Sequence, residues 1–288
     1  MGKHYIPQEY LRGFSIPNSE EQEIYRYEKN SSEPKRLPID KVAQMKELYP
    51  QQVETILTTN YENPANKILK RLRDGFHPEF QDRLTLIDYM ILMWQRTPYK
   101  RDEIKNQLEK EVPKRIQEIK DETDRLIQEM PDKKDIIQQR RNLFISKYES
   151  GDFSNDEIWL RLLIEAKFPL IRSTMLKMNW ITVHSEKDDY FITGDCPFFF
   201  TRGIGLSNKE SEVIFPISSK TILWINWYNI KKRQFKSGHS LATEINKRMF
   251  SISERYIYSP FSSNWLKNYC LSETVQLQKL NLTKSLFR

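Results

Sequence analysis

Apolar spacing changes repeatedly along the chain, and each change marks an element. Glu23-Ile24-Tyr25-Arg26-Tyr27-Glu28-Lys29 partly alternates apolar and polar positions, as a half-buried strand does, and Asn30-Ser31-Ser32-Glu33-Pro34 breaks it. From Pro50 the period becomes helical. Val53, Ile56 and Leu57 form one helix, and Ala65, Ile68, Leu69 and Leu72 a second, joined near Asn63-Pro64 and stopped by Asp74-Gly75. Leu84 to Trp94 is apolar around most of its circumference, which predicts a central helix covered by others. Arg96-Thr97-Pro98 ends or kinks it.

Ile104, Leu108, Val112, Ile116 and Ile119 then make a stripe on a charged helix in which Pro113 marks a kink or restart. Met130-Pro131-Asp132 reads as a turn before a returning helix from Ile136 to Tyr148, so 100–150 is expected to be a helical hairpin projecting from the body. A further helical pair, Ile158 to Met178, is interrupted at Pro169. The period then becomes that of strands at Trp180–Val183, Tyr190–Thr193, Val213–Phe215 and Thr221–Trp227. A last helix from about Ser240 through Leu241, Ile245 and Met249, and a short strand at Tyr256–Tyr258, complete the pattern. The expected class is α+β: strands near the N-terminus and in 179–230, a large helical middle, and one domain over 1–288 with 100–150 inserted in it.

Composition narrows this picture. The 15 Phe, 14 Tyr and 6 Trp supply core bulk in a chain that is only 38% hydrophobic. Eight glycines leave little for phosphate-cradling loops, and Gly203-Ile204-Gly205 lacks the third glycine or the Lys-Ser pair of such motifs. No stretch has the length of a spanning helix and no leader pattern is present, so a cytoplasmic protein without membrane contact is expected. Cys196 and Cys270 are far apart and read as buried or incidental thiols. The net charge of +7 is concentrated: residues 205–288 hold 13 basic and 5 acidic side chains. Such an excess suits a phosphate backbone, and equally suits solubility. The near-balanced charge of 100–150 suits solvated, salt-bridged faces, with a protein partner rather than nucleic acid as its expected contact.

His4-Tyr5-Ile6-Pro7-Gln8-Glu9-Tyr10-Leu11-Arg12-Gly13-Phe14 resembles the opening of a bacterial family known as domain of unknown function 4238, which begins His-Tyr-Val-Pro-Gln and continues with a Tyr-Leu and a Phe. Tyr27-Glu28-Lys29, Tyr61-Glu62, Arg96-Thr97-Pro98, Gly194-Asp195-Cys196-Pro197, Phe215-Pro216-Ile217-Ser218 and Asn246 are similar to its later landmarks. Cys196 departs from it, since the family more often has Asn there. The resemblance implies fold boundaries and polar positions to weigh, and no reaction.

Those polar positions are His4, Gln8, Glu62, Arg96 and Asp195. An imidazole, an amide and a carboxylate converging from His4, Gln8 and Asp195 would hold a divalent metal ion or serve as acid and base on a phosphodiester. The structural alternative is that His4 and Gln8 pin the terminus through backbone hydrogen bonds while Asp195 caps its turn. In the basic third, Lys231, Lys232 and Arg233 interleave with Trp227, Tyr228 and Phe235, a composition suited to nucleic acid and also to a strand end followed by a solvated turn. Two nuclease-like matches are discounted: Glu165-Ala166-Lys167 falls in a helical context, and Arg71 with His77 has a ribonuclease-like spacing but places His77 in a loop. His184 and His239 are read as surface residues without partners. A Ser-His-Asp set whose members lie far apart is left open, although no Gly-x-Ser-x-Gly elbow is present.

The expectation carried forward is a hydrolase of nuclease type, with a role in bacterial defence or genome conflict suggested only by the kind of family it resembles. Its alternative is a non-catalytic nucleic-acid or protein binding module. Convergence of His4 and Asp195 in an open cleft favours the first; burial of both against backbone groups favours the second.

Overall fold

The computed structural model describes residues 2–31, 33–46, 48–149, 155–165, 168–186, 188–201 and 203–272. The chain divides into two compact units, one formed by 1–97 with 166–288 and the other by 98–165. The fold class is α+β. In chain order the first unit contributes β1 (Lys3–His4), α1 (Gln8–Leu11), β2 (Glu23–Glu28), β3 (Lys35–Pro38), β4 (Gln44–Met45), α2 (Gln51–Leu57), α3 (Asn63–Arg73) and α4 (Phe80–Gln95). The second unit holds α5 (Pro98–Glu129), α6 (Lys134–Glu149) and α7 (Asn155–Glu165). The chain then returns to the first unit as α8 (Pro169–Lys177), β5 (Asn179–Ser185), β6 (Thr193–Gly194), β7 (Phe199–Phe200), β8 (Glu212–Ser218), β9 (Thr221–Asn226), β10 (Gln234–Ser237), α9 (His239–Ile252), β11 (Tyr256–Ser259) and α10 (Asn264–Leu271).

A five-stranded sheet in the order β10-β5-β9-β8-β7 is the centre of the first unit, and β3-β2-β11-β6 form a four-stranded sheet beside it. Every pairing in these sheets is antiparallel except that of β10 with β5. β8 and β9 are buried along their whole length, because both faces of the sheet are covered. On one face Ile181, Val183, Ile214, Ile222 and Trp224 pack with Leu241, Ala242, Ile245 and Met249 of α9. On the other, Phe215 stacks on Tyr10 with ring centroids 5.5 Å apart, and the Trp180 indole donates to the Met175 carbonyl at 3.0 Å.

The opening motif belongs to this packing. Tyr5, Ile6, Tyr10, Leu11 and Phe14 are buried, and the Tyr10 hydroxyl meets Thr193 Oγ1 at 2.9 Å and the Pro197 carbonyl at 3.1 Å. Gly13 has no side chain because a Cβ there would lie 2.6 Å from the Ile217 carbonyl oxygen. Arg73 donates to the carbonyls of Glu9, Tyr10 and Ile217, so one guanidinium ties the N-terminal segment to α3 and the sheet.

Two expectations about elements change. Tyr190–Ile192 is not strand, and only Thr193–Gly194 pairs: the Asn246 amide accepts from the Ile192 N–H at 3.0 Å and donates to the Tyr190 carbonyl at 2.8 Å, taking the place of a neighbouring strand. Helices α2 and α3 are joined, as expected, just before Asn63-Pro64, and the junction is a wide π turn at Thr58–Glu62. In the second unit α5 passes through Pro113 without a restart; the carbonyl left unbonded is that of exposed Glu109. The packed α5–α6 pair supplies the expected hairpin, and α7 completes its unit. No helix of the described residues is long and apolar enough to cross a membrane.

Candidate functional site

Four of the five polar positions share one neighbourhood. Arg96, wholly buried at the end of α4, donates through Nη1 to Glu62 Oε1 at 2.5 Å and through Nε to the Tyr5 carbonyl at 2.9 Å. Burial alone would push this guanidinium down, and Glu62 with Tyr49 more than offsets it, so Arg96 stays cationic. Gln8 places its amide 3.4 Å from both ring nitrogens of His4, whose pKa is lowered, first by burial, against a hydrogen bond to the Asp40 backbone and the field of Glu54. A neutral imidazole, an amide and a buried ion pair therefore surround the N-terminal turn. Burial also drives the Tyr89 phenol far up, and among the described residues Tyr89 Oη and Arg96 Nη2 have no hydrogen-bond partner.

Asp195 is elsewhere. One carboxylate oxygen accepts from the Glu254 N–H at 2.8 Å, and the other from the N–H groups of Arg255 and Tyr256 at 2.7 and 2.8 Å. Burial raises its pKa and these three donors work against the rise. Its carboxylate thus holds the turn into β11, and among the described residues it makes no hydrogen bond or ion pair with His4, Gln8, Glu62 or Arg96. No three His, Cys, Asp or Glu side chains of the described residues converge as a metal ligand set.

The family model described as "Protein of unknown function (DUF4238)" matches residues 3–262. The chain belongs to that family. No curated protein and no solved structure matches it. Within that range Tyr10 packs on the sheet face, Asp195 holds the turn into β11 and Asn246 takes the place of a strand.

The basic positions lie together at the start of β10. Gln234 donates to the Gly75 carbonyl at 2.7 Å and Thr182 N–H to the Arg233 carbonyl at 2.9 Å, so the loop before β10 sits beside the loop between α3 and α4. There His77 Nε2 is 3.5 Å from an Arg83 nitrogen, and its Nδ1 is 3.4 Å from Thr182 Oγ1. Burial, then the cations Arg83 and Arg233, lower the His77 pKa to about 4. Arg71 is not its partner, being paired with Asp82 at 2.5 Å. Lys231, Lys232 and Arg233 are exposed, and among the described residues neither they nor Arg83 form an ion pair. Phe76, on the same loop as His77, and Phe80, the first residue of α4, are 62% and 64% exposed. Sequence reasoning missed Arg83, Phe76 and Phe80; aromatic residues alternating with His77 and Arg83 were the available signal.

One further expectation is corrected. His184 Nδ1 lies 3.2 Å from Thr221 Oγ1, and His239 Nδ1 lies 2.6 Å from Asp189 Oδ1, so neither lacks a partner. Glu165 ends α7, while Ala166 and Lys167 lie outside the described residues.

Proposed function

We propose that this protein binds single-stranded nucleic acid through the surface formed by residues 76–83 and 231–236, as a non-catalytic module at that surface. The observation that carries the reading is the gathering of Arg83, Lys231, Lys232 and Arg233 without carboxylate partners, beside two exposed phenylalanine rings. Like charges held together without counter-charges are unfavourable in the free protein and favourable against a phosphate chain, and exposed rings offer faces on which bases stack. The phosphodiester hydrolase reading needs Asp195 free to act, and three backbone donors occupy it. That occupancy makes the binding reading the stronger of the two.

The test is fluorescence anisotropy of labelled oligonucleotides across a salt series. Binding should weaken steeply with salt, and Lys231→Ala with Lys232→Ala should flatten the slope by about 1.4, the share of two phosphate contacts on a single strand. Absence of binding at low salt, or an unchanged slope in the double variant, would sink the reading.

A protein partner is proposed for α6, where Ile136, Leu143 and Phe144 are exposed. The buried cysteines Cys196 and Cys270, neither in a disulfide, fit a reducing, cytoplasmic setting.

A further inference from the structure

Phe198, Phe199 and Phe200 lead into β7, where side chains alternate in direction. Phe199 belongs to the core cluster that includes α9. Phe198 and Phe200 line a cavity instead, and both are only half-buried. There Phe200 meets Trp94 of α4 edge to face with ring centroids 5.6 Å apart, and Phe198 lies 6.1 Å from Phe200. Trp94 is half-buried as well, so three rings leave part of their surface toward one space.

The cavity has a volume of about 350 Å³, inside the range of ~300–1,000 Å³ that small-molecule sites occupy. Met90 of α4, Ile171 and Met175 of α8, and Leu206 and Val213 continue its wall, and among the described residues no charged side chain lines it. Its polar groups are few. Thr201 Oγ1 accepts from the Glu212 N–H at 3.2 Å, while the Thr174 and Ser207 hydroxyls make no hydrogen bond among the described residues. The wall is pre-formed: the chain turns at Gly203 and Gly205, with φ of 85° and 72°, the Asn208 N–H donates to the Gly205 carbonyl at 3.2 Å, and the Trp227 indole donates to the Leu206 carbonyl at 2.8 Å.

We propose that this cavity binds an uncharged, naphthalene-sized aromatic molecule that carries a hydroxyl or carbonyl group. The rings of Trp94, Phe198 and Phe200 offer edges and faces to an aromatic guest, and the thioethers of Met90 and Met175 add sulfur contacts. A charged guest would lose its hydration and gain no counter-charge, so the guest is neutral. Thr174 or Ser207 supplies the hydrogen bond that orients its polar group. The wall needs little ordering on binding, which keeps the cost of association low. The site shares no residue with the cationic surface proposed for nucleic acid. It also differs from the cavity of about 380 Å³ beside His239, where Tyr190, Trp265 and Tyr269 stand with Asp188 and Asp189.

The full chain, labelled at its methionine methyl carbons, should be titrated with 2-naphthol and read by NMR. Ring currents of the bound probe should move the methyl signals of Met90 and Met175 the most among the 8 methionines, the two being assigned through Met90→Leu and Met175→Leu. Naphthalene-2-sulfonate, a similar ring with a charge, should bind about 100-fold more weakly or worse, and 1-octanol, which is aliphatic, about 10-fold more weakly. Thr174→Phe, which puts a ring into the space, should remove 2-naphthol binding with an unchanged melting temperature. No saturable shift, largest shifts at other methionines, equal binding by the sulfonate or by octanol, or binding retained in a folded Thr174→Phe would overturn the proposal. The methyl shifts and the probe comparison are read on the unsubstituted chain, so they decide the matter even where Thr174→Phe fails to fold.

Discussion

At the start of β10 the surface is cationic and unpaired, whereas at its end a carboxylate is paired with an imidazole beside an aromatic cavity; four residues of strand, about 13 Å, separate the two. The difference lies in what the charges are free to do. Arg83 feels the field of Arg233 and both act on His77, so a polyanion relieves a repulsion the free protein carries. Asp189 already has its partner, and its charge goes into orienting an imidazole rather than into attracting a ligand. The parallel pairing of β10 with β5 produces both ends, since it sets Gln234 against Thr182 near His77 and Ser237 against Ser185 near Asp189.

The largest effect should come from reversing one end. Lys231→Glu, Lys232→Glu and Arg233→Glu together should abolish oligonucleotide binding, a loss on the order of 1,000-fold at low salt, and anisotropy should show no recovery as salt rises; retained binding would break the contrast. Next is Asp195, a carboxylate that serves neither end. Asp195→Ala removes the acceptor of three N–H groups, those of Glu254, Arg255 and Tyr256, and should cost about 2 kcal/mol in denaturant unfolding, while Asp195→Asn, which keeps an acceptor, should cost about 1 kcal/mol. Equal losses would remove its assigned role in holding the turn into β11.

Smaller effects sharpen the cationic end. Phe76→Ala with Phe80→Ala should weaken binding by about 1 kcal/mol or more while leaving the salt slope unchanged, because stacking releases no counterions. A changed slope would mean the rings act through the neighbouring charges. The smallest effect is on acid stability. His77 releases its proton near pH 4 when folded and near 6.5 when unfolded, so the unfolded chain binds more protons between these values and stability falls as pH drops through that window. The His77→Gln variant should lose less stability than the parent between pH 6.5 and 4; parallel melting curves would contradict this.

Much of the fold was legible because burial repeats with the period of its element. Leu86 to Met93 fill a helix covered on nearly all sides, and Thr221 to Asn226 a strand covered on both faces. Tyr190–Ile192 was illegible as coil because its strand-like composition is satisfied by one side-chain amide, Asn246, more than fifty residues away. Of the polar set, Glu62 and Arg96 met, as two charges in apolar surroundings must. Asp195 was drawn into a backbone turn that no local spacing announces. The Asp189–His239 pair depends on where the parallel pairing of β10 brings α9, and Arg83 reaches His77 from inside α4 while Arg71, at the matching spacing, is held by Asp82.

Hydrogen exchange of the full chain with and without a single-stranded oligonucleotide tests the central claim most directly, since it reads where the contact is made. The account predicts slowed exchange in 75–83 and 227–236, with 185–192 and 239–246 unchanged. Protection confined to the Asp189–His239 cleft, or to the α5–α6 pair, would contradict it.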